Sequence, residues 1–243
     1  MITKSTEEIK DIYNNQENIF DSWRDKTNYY KIVIEILYNA MENNISFPTK
    51  ERKVLDAACG PGRNINAILG AGAKEVTGLD LTPNLLNIAK KRFKNNKNVN
   101  FSQHNLEKKL PFEDESFDVV VCCKALPHIK NIDQVLGEFK RILKKNGVMF
   151  LDFYSPYSFR RLFAGKNYLT YTRWDSVSKV KSYLEKQNLE IKKIYGQNTF
   201  IPNESFLNTF KLFKFFRWLE NKFTNSFLNK FSGYYNVIIK KDN

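Results

Sequence analysis

Apolar positions change their period along this chain, and the changes mark out its elements. Between residues 7 and 43 apolar side chains recur at helical spacing, as in Ile32, Ile36 and Leu37, which predicts two helices. Pro48, in NISFPTKER, ends that pattern. From Lys53 the rhythm switches to short apolar runs typical of buried strands: KVLDAA, EVTGLD, VNFSQ, FDVVVCC and VMFLDFY. Helical stretches lie between them. NINAILGAG is expected to end at Gly70 or Gly72, and TPNLLNIAKKRF to start with Thr82 as cap and Pro83 at the first helical position. NIDQVLGEFKRIL is amphipathic and stops at Asn146-Gly147. A helix, SVSKVKSYLEKQ, a strand, LEIKKIYG, and a last strand, YYNVIIKK, complete the pattern.

Strands alternating with helices of about 10 to 15 residues predict a parallel sheet covered on both faces. The runs VVVCC and VMFLDF are apolar without alternation, as strands buried on both sides require. Two segments break the order: SPYSFRRLFAGKNYLTYT has no clear period, and a long aromatic stretch follows IPNES. The expected organisation is one α/β domain. Residues 1–48 form an N-terminal helical lid, 52–154 the core, 155–232 acceptor-side insertions and 233–241 the final strand.

Composition narrows this little. The 243 residues are 42% hydrophobic, enough for a sizeable core, and no run of about 18 apolar residues suggests a membrane span. MITKSTEEIKDIYNNQ lacks the apolar stretch of a secretory signal, so a cytoplasmic protein is expected. Cys59, Cys122 and Cys123 make no disulfide framework, and with only His104 and His128 beside them no metal site is expected. The net charge of +13 suits nucleic acid, an anionic membrane surface or acidic substrates, and selects none of them.

Candidate chemistry concentrates in KVLDAACGPGRN, a strand running into a glycine turn. A P-loop needs Gly-Lys-Ser/Thr, which is missing. A dinucleotide fingerprint needs a third glycine, but Gly60-Pro61-Gly62 is followed by Arg63, Asn64 and Ile65. What remains is Asp56, then Gly60-x-Gly62. Asp80 ends the next strand 18 residues beyond Gly62, where an acid can accept both ribose hydroxyls of an adenosine.

VLDAACGPGRN, GLDLTPNLLNIAKKR, LPFEDESFDVVV and GEFKRILKKNGVMFLDF together resemble the class I S-adenosylmethionine-dependent methyltransferases, across roughly residues 52–154. The resemblance implies a Rossmann-like, mostly parallel seven-stranded sheet of order 3-2-1-4-5-7-6, helices on both faces, and a helical insertion before an antiparallel last strand. It implies S-adenosyl-L-methionine as cofactor. The backbone from Ala58 through Cys59 to Gly60 and Gly62 would pass its methionine part, and a Cβ at either glycine would obstruct that approach. Asp56 and Cys122 border the same site. Asp80 would hold the ribose, Leu81 would pack on adenine, and Asn105, with Leu106 beside it, would stand where many relatives carry an Asp that accepts from the adenine amino group. Ala58 stands where relatives commonly have Gly.

Methyl transfer is an in-line displacement that asks for positioning and dryness more than for a catalytic side chain. His128, in CCKALPHI after the fourth strand, is the candidate proton acceptor; tying down its loop is the competing role. Trp23, Arg24, Tyr29 and Tyr30 are candidate lid residues. Leu212, Phe216, Leu219, Phe223, Phe227 and Phe231 form one helical stripe in the late segment. That stripe suits core packing, an apolar acceptor pocket, or peripheral membrane contact through residues 206–231. Three functions stay open. One is a methyltransferase acting on a quinone-like, lipid-like, sugar or secondary-metabolite acceptor. Another is an RNA methyltransferase with Arg160, Arg161, Lys166 and Arg173 along a phosphate track. The third is a methyltransferase-like binding protein without catalysis.

Overall fold

The computed structural model describes residues 52–158, 172–197 and 231–242, together with positions 10, 11, 14, 215, 218, 219 and 222. Seven strands follow in chain order: β1 (Arg52–Ala57), β2 (Ala73–Asp80), β3 (Val99–Gln103), β4 (Phe117–Cys122), β5 (Leu143–Tyr154), β6 (Glu190–Gln197) and β7 (Tyr234–Lys240). Helices α1 (Ile65–Gly70), α2 (Pro83–Arg92), α3 (Ile132–Ile142) and α4 (Val177–Lys186) lie between them, with a short 3₁₀ turn at Leu126–His128. The strands form one sheet of order β3-β2-β1-β4-β5-β7-β6. Pairings from β3 through to β5 are parallel, while β7 runs antiparallel to both β5 and β6. The expected fold class and topology hold.

Side chains two apart in a strand share a face, so each central strand feeds two cores. Leu55, Val120, Met149, Leu151, Val237 and Ile239 pack against Val135, Leu136 and Phe139 of α3 and Val180 and Leu184 of α4. Val54, Val76, Val119, Val121, Phe150 and Ile238 pack on the other face against Ile65 and Ile68 of α1 and Phe93. These double-sided demands explain the unbroken apolar runs in the sequence.

Two local expectations need correction. Thr82 occupies the cap position of α2, but its side chain makes no capping bond; Pro83 starts the helix and the Thr82 amide donates to Asp80 instead. The strand expected from Val148 begins at Leu143, directly after α3. Leu143 pairs with Phe117 and Val148 with Val119, so the intervening residues bulge, with Asn146 at φ 59°. The expected lid, with Trp23, Arg24, Tyr29 and Tyr30, lies outside the described residues, as do Arg160, Arg161, Lys166 and most of the late aromatic stripe. Among the described residues no helix is long and apolar enough to cross a membrane.

Candidate functional site

The strand order reverses between β1 and β4, and ligands of open α/β sheets bind beyond the carboxyl ends at such a point. Here the α1 face of the sheet changes character. The positions that continue Val54, Val76, Phe150 and Ile238 toward the carboxyl ends of their neighbours' strands are Asp56, Asp80, Asp152 and Asn236, all buried. Three carboxylates thus sit on one face, out of water.

The turn after β1 holds alternate residues in left-handed conformation: Ala58 at φ 59°, Gly60 at 54° and Gly62 at 77°. Alanine tolerates this at a cost of about 1 kcal/mol, so Ala58 is a strained but workable residue there. The two glycines serve different ends. A Cβ at Gly60 would meet only Leu85 at 3.9 Å, leaving conformation as the reason for glycine. At Gly62 it would press on Phe93 at 2.9 Å and Ala89 at 3.3 Å. Gly62 therefore packs the turn onto α2, a second reason for glycine beside the left-handed conformation. Arg92, at the end of α2, fastens the same turn by donating to the Pro61 carbonyl at 3.0 Å. Gly78 of β2 leaves room for the Cys59 thiol, 2.9 Å from where its Cβ would lie.

Asp80 accepts from the Gly60 amide at 2.7 Å with one oxygen and from the Thr82 amide at 2.8 Å with the other. Burial raises its pKa, and these donors pull it back in part. Asp56 has no such help. Neither carboxylate oxygen has a hydrogen-bond partner of good geometry, and burial pushes its pKa up to about 7, with the nearby Asn64 side chain opposing and the Asp80 charge adding to the rise. An unserved carboxylate this deep is costly unless something cationic or hydrogen-bonding meets it.

The loop after β3 is fixed by charge-assisted bonds. Glu138 accepts from the Leu110 amide at 2.7 Å, Arg141 donates to the Phe112 carbonyl at 2.7 Å, and Glu107 accepts from the Lys130 and Asn131 amides. Asn105 is half-buried, and its side-chain oxygen already accepts from the Glu107 amide at 2.9 Å; an amide oxygen takes two such bonds. Leu106 belongs to the α3-face core, as does Cys122, while Leu81 is half-buried beyond β2. The Cys59, Cys122 and Cys123 thiols are buried, and burial first, then nearby carboxylates, push their pKa values up, so all three are inert. Among the described residues no His/Cys/Asp/Glu group is arranged for a metal ion.

Sequence reasoning missed the assembly beyond β4, β5 and β7. Lys124, at φ 65°, donates its amide to Asp152 Oδ1 at 2.7 Å. Its Nζ lies 2.9 Å from Asp152 Oδ2 and 3.1 Å from the centre of the Tyr234 ring. Tyr154 packs edge-on against Tyr234 (4.9 Å between ring centres) and His128 (5.9 Å), and tilted against Trp174 (5.4 Å). His128 Nδ1 is 3.4 Å from the Thr172 hydroxyl. The one signal in the sequence was Asp152, an acid inside an apolar strand. Arg173, expected on a phosphate track, instead clamps Asp175 at 2.6 Å, donates its amide to the Pro127 carbonyl and is largely buried. It has no surface to offer a phosphate.

Buried carboxylates repel a pyrophosphate and suit a ligand that carries positive charge. Fold and site together define a Rossmann-like α/β protein. A family model described as a methyltransferase domain matches residues 55–151. The demethylmenaquinone methyltransferase of Tropheryma whipplei (strain Twist) is 30% identical over 175 residues, 70% of this chain and 68% of that one. The methyltransferase YqeM of Bacillus subtilis (strain 168) is 32% identical over 121 residues, 49% of this chain, and the match spans only 48% of that relative's length. A solved S-adenosylmethionine-dependent methyltransferase from Mesorhizobium loti superposes with a TM-score of 0.61 at 15% identity, over 89% of this chain and 99% of that one. The chain belongs to the class I S-adenosylmethionine-dependent methyltransferases, and S-adenosylmethionine is its cofactor.

Proposed function

We propose that this chain transfers a methyl group from S-adenosylmethionine to an apolar, quinone-like small molecule. The observation carrying the acceptor class is the 30% identity, over more than two thirds of both chains, to a demethylmenaquinone methyltransferase. The aromatic wall of Tyr154, Trp174 and Tyr234, at the carboxyl end of β5 and the amino end of β7, is of a kind that flat aromatic acceptors stack on.

S-adenosylmethionine, when bound, would supply an electrophilic methyl group on a sulfonium. Asp80 takes the ribose hydroxyls, giving up its bond from Gly60 or sharing it. Asp56 takes the positively charged methionine end, the backbone from Ala58 to Gly62 lines it, and Leu81, Asn105 and Leu106 border the adenine. The acceptor lies beyond β4 and β5, where the Leu126–His128 turn and Trp174 exclude water. His128 takes the acceptor's proton where one must leave. The organisation into lid (1–48), core (52–154), acceptor-side insertions (155–232) and last strand (233–241) is part of the same proposal.

The test is incubation with methyl-labelled S-adenosylmethionine and either chemically reduced 1,4-naphthoquinone or bulk tRNA. Label in the organic phase is expected. Label in tRNA, with none in the naphthoquinone, overturns the acceptor class. His128→Ala is expected to lower the rate with a hydroxyl acceptor while S-adenosylhomocysteine binding stays intact.

A further inference from the structure

Five polar atoms on or beside one face of the sheet are buried without an aligned hydrogen bond: both oxygens of Asp56, Oδ2 of Asp152, Nζ of Lys124 and the hydroxyl of Tyr195. The last three lie on the β4–β5–β6 side, away from the glycine turn. Lys124 is the most constrained of them. Its backbone is held left-handed by Asp152 Oδ1, and its ammonium is drawn over Tyr234. Nζ stands 2.9 Å from Asp152 Oδ2 without a well-aligned hydrogen bond to it. An ammonium has three N–H groups and no acceptor of its own. Half-buried and with one carboxylate oxygen beside it, this ammonium has N–H groups left for a second oxygen.

Resting on the methyl-transfer reading above, we propose that Lys124 is an acceptor-binding residue that takes an anionic oxygen, a phenolate or enolate, of an acceptor stacked on the Tyr154–Trp174 wall. Asp152 holds the ammonium in place with one oxygen and its backbone with the other. Tyr234 spreads part of the charge over its ring, which is worth most where water is excluded. The charged and titratable groups facing Lys124 are Asp152 on β5 and Tyr234 on β7, with Cys123, its neighbour in the chain, in electrostatic reach. A protonated amine acceptor meets an ammonium already seated on the aromatic ring and is rejected. An oxygen acid is favoured, because an opposite charge within a few ångströms lowers its pKa by about one to three units. On the acceptor, the hydroxyl proton passes to His128 and on to solvent. The oxygen or conjugated carbon then supplies the electron pair for the bond to the methyl carbon, whose bond to sulfur breaks with its pair staying on sulfur, leaving S-adenosylhomocysteine.

The probe is 4-nitrophenol, whose ionisation is visible in its absorbance, titrated onto the protein saturated with S-adenosylhomocysteine. In the wild-type protein the bound phenol is expected to ionise about one pH unit lower than in water, with the phenolate bound about tenfold tighter than the phenol. Lys124→Met is expected to abolish that preference and Lys124→Arg to restore part of it, while 4-nitroanisole, which has no proton to lose, binds wild type and K124M alike. S-adenosylhomocysteine affinity within about threefold of wild type shows that K124M is folded. An unchanged phenol titration in K124M overturns the assignment, as does failure of the wild type to bind 4-nitrophenol while binding S-adenosylhomocysteine; neither result touches the methyltransferase reading. Failure to bind S-adenosylhomocysteine overturns both.

Discussion

The two faces of the sheet are made from the same strands and meet different needs. On the α3 face, Leu55 and Ala57, Val120 and Cys122, and Leu151 and Phe153 stay apolar up to the strand ends. On the α1 face the same strands pass from Val54 to Asp56 and from Phe150 to Asp152 within two residues. One face is packed for stability throughout. The other gives up packing at its carboxyl end and keeps buried carboxylates, of which Asp80 and Asp152 have protein partners and Asp56 has none of good geometry. Side chains alternating along single strands thus separate folding from binding without separate domains.

Four substitutions break or sharpen this contrast. Phe139→Ala removes a fully buried ring from the α3 face and is expected to cost about 3–5 kcal/mol in urea unfolding, with cofactor affinity of the folded protein unchanged. Asp56→Asn is expected to act in the opposite sense. Asp56's pKa of about 7 lies above the ordinary 3.8, so its contribution to stability is full below about pH 4 and is lost as the pH rises through 7. At pH 8 the D56N protein without cofactor should be more stable than wild type by up to about 4 kcal/mol, with the advantage gone at pH 4. Its affinity for S-adenosylmethionine at pH 8 should fall at least tenfold, measured by calorimetry; equal affinity would remove Asp56 from the site.

Gly62→Ala tests whether the turn is held by packing on α2. Left-handed strain plus the 2.9 Å contact with Phe93 should cost about 2–3 kcal/mol in thermal unfolding. The smallest effect is expected from Tyr195→Phe. Its hydroxyl is buried without a partner, so deleting it should stabilise the protein by about 1 kcal/mol. A loss of stability there would mean that the hydroxyl is satisfied, and the polar end of this face would be smaller than drawn.

Much of the fold was legible because local signals agreed: apolar runs of strand length, helical stretches between them and Pro83 at a helix start. The working caps Asn131 and Ser176 were not read from the sequence. Asp80 and the glycine turn were legible because they are close in sequence and their spacing is tied to strand–turn–helix geometry. The difference between Gly60 and Gly62 was not, since it depends on where Phe93 and Ala89 fall once α2 packs. Lys124, Asp152 and Tyr234 come from the loop after β4 and from β5 and β7, whose neighbourhood no spacing records. Arg173 looked like a surface cation because nothing local reveals that Asp175 and the Tyr183 ring enclose it.

The antiparallel strand β7 has a consequence for the order of assembly. In the sheet, β6 pairs with β7 alone, and β7 fills the place beside β5. As the chain emerges during synthesis, β1 to β5 can pair with one another as soon as they are made. Asp152, however, waits for Asn236 to arrive opposite it, and Lys124 waits for the ring of Tyr234. Closing such a long loop is slow compared with local pairing. Until β7 is laid in, β5 therefore presents an open edge, and the surroundings of Asp152 and Lys124 are completed only by the last strand.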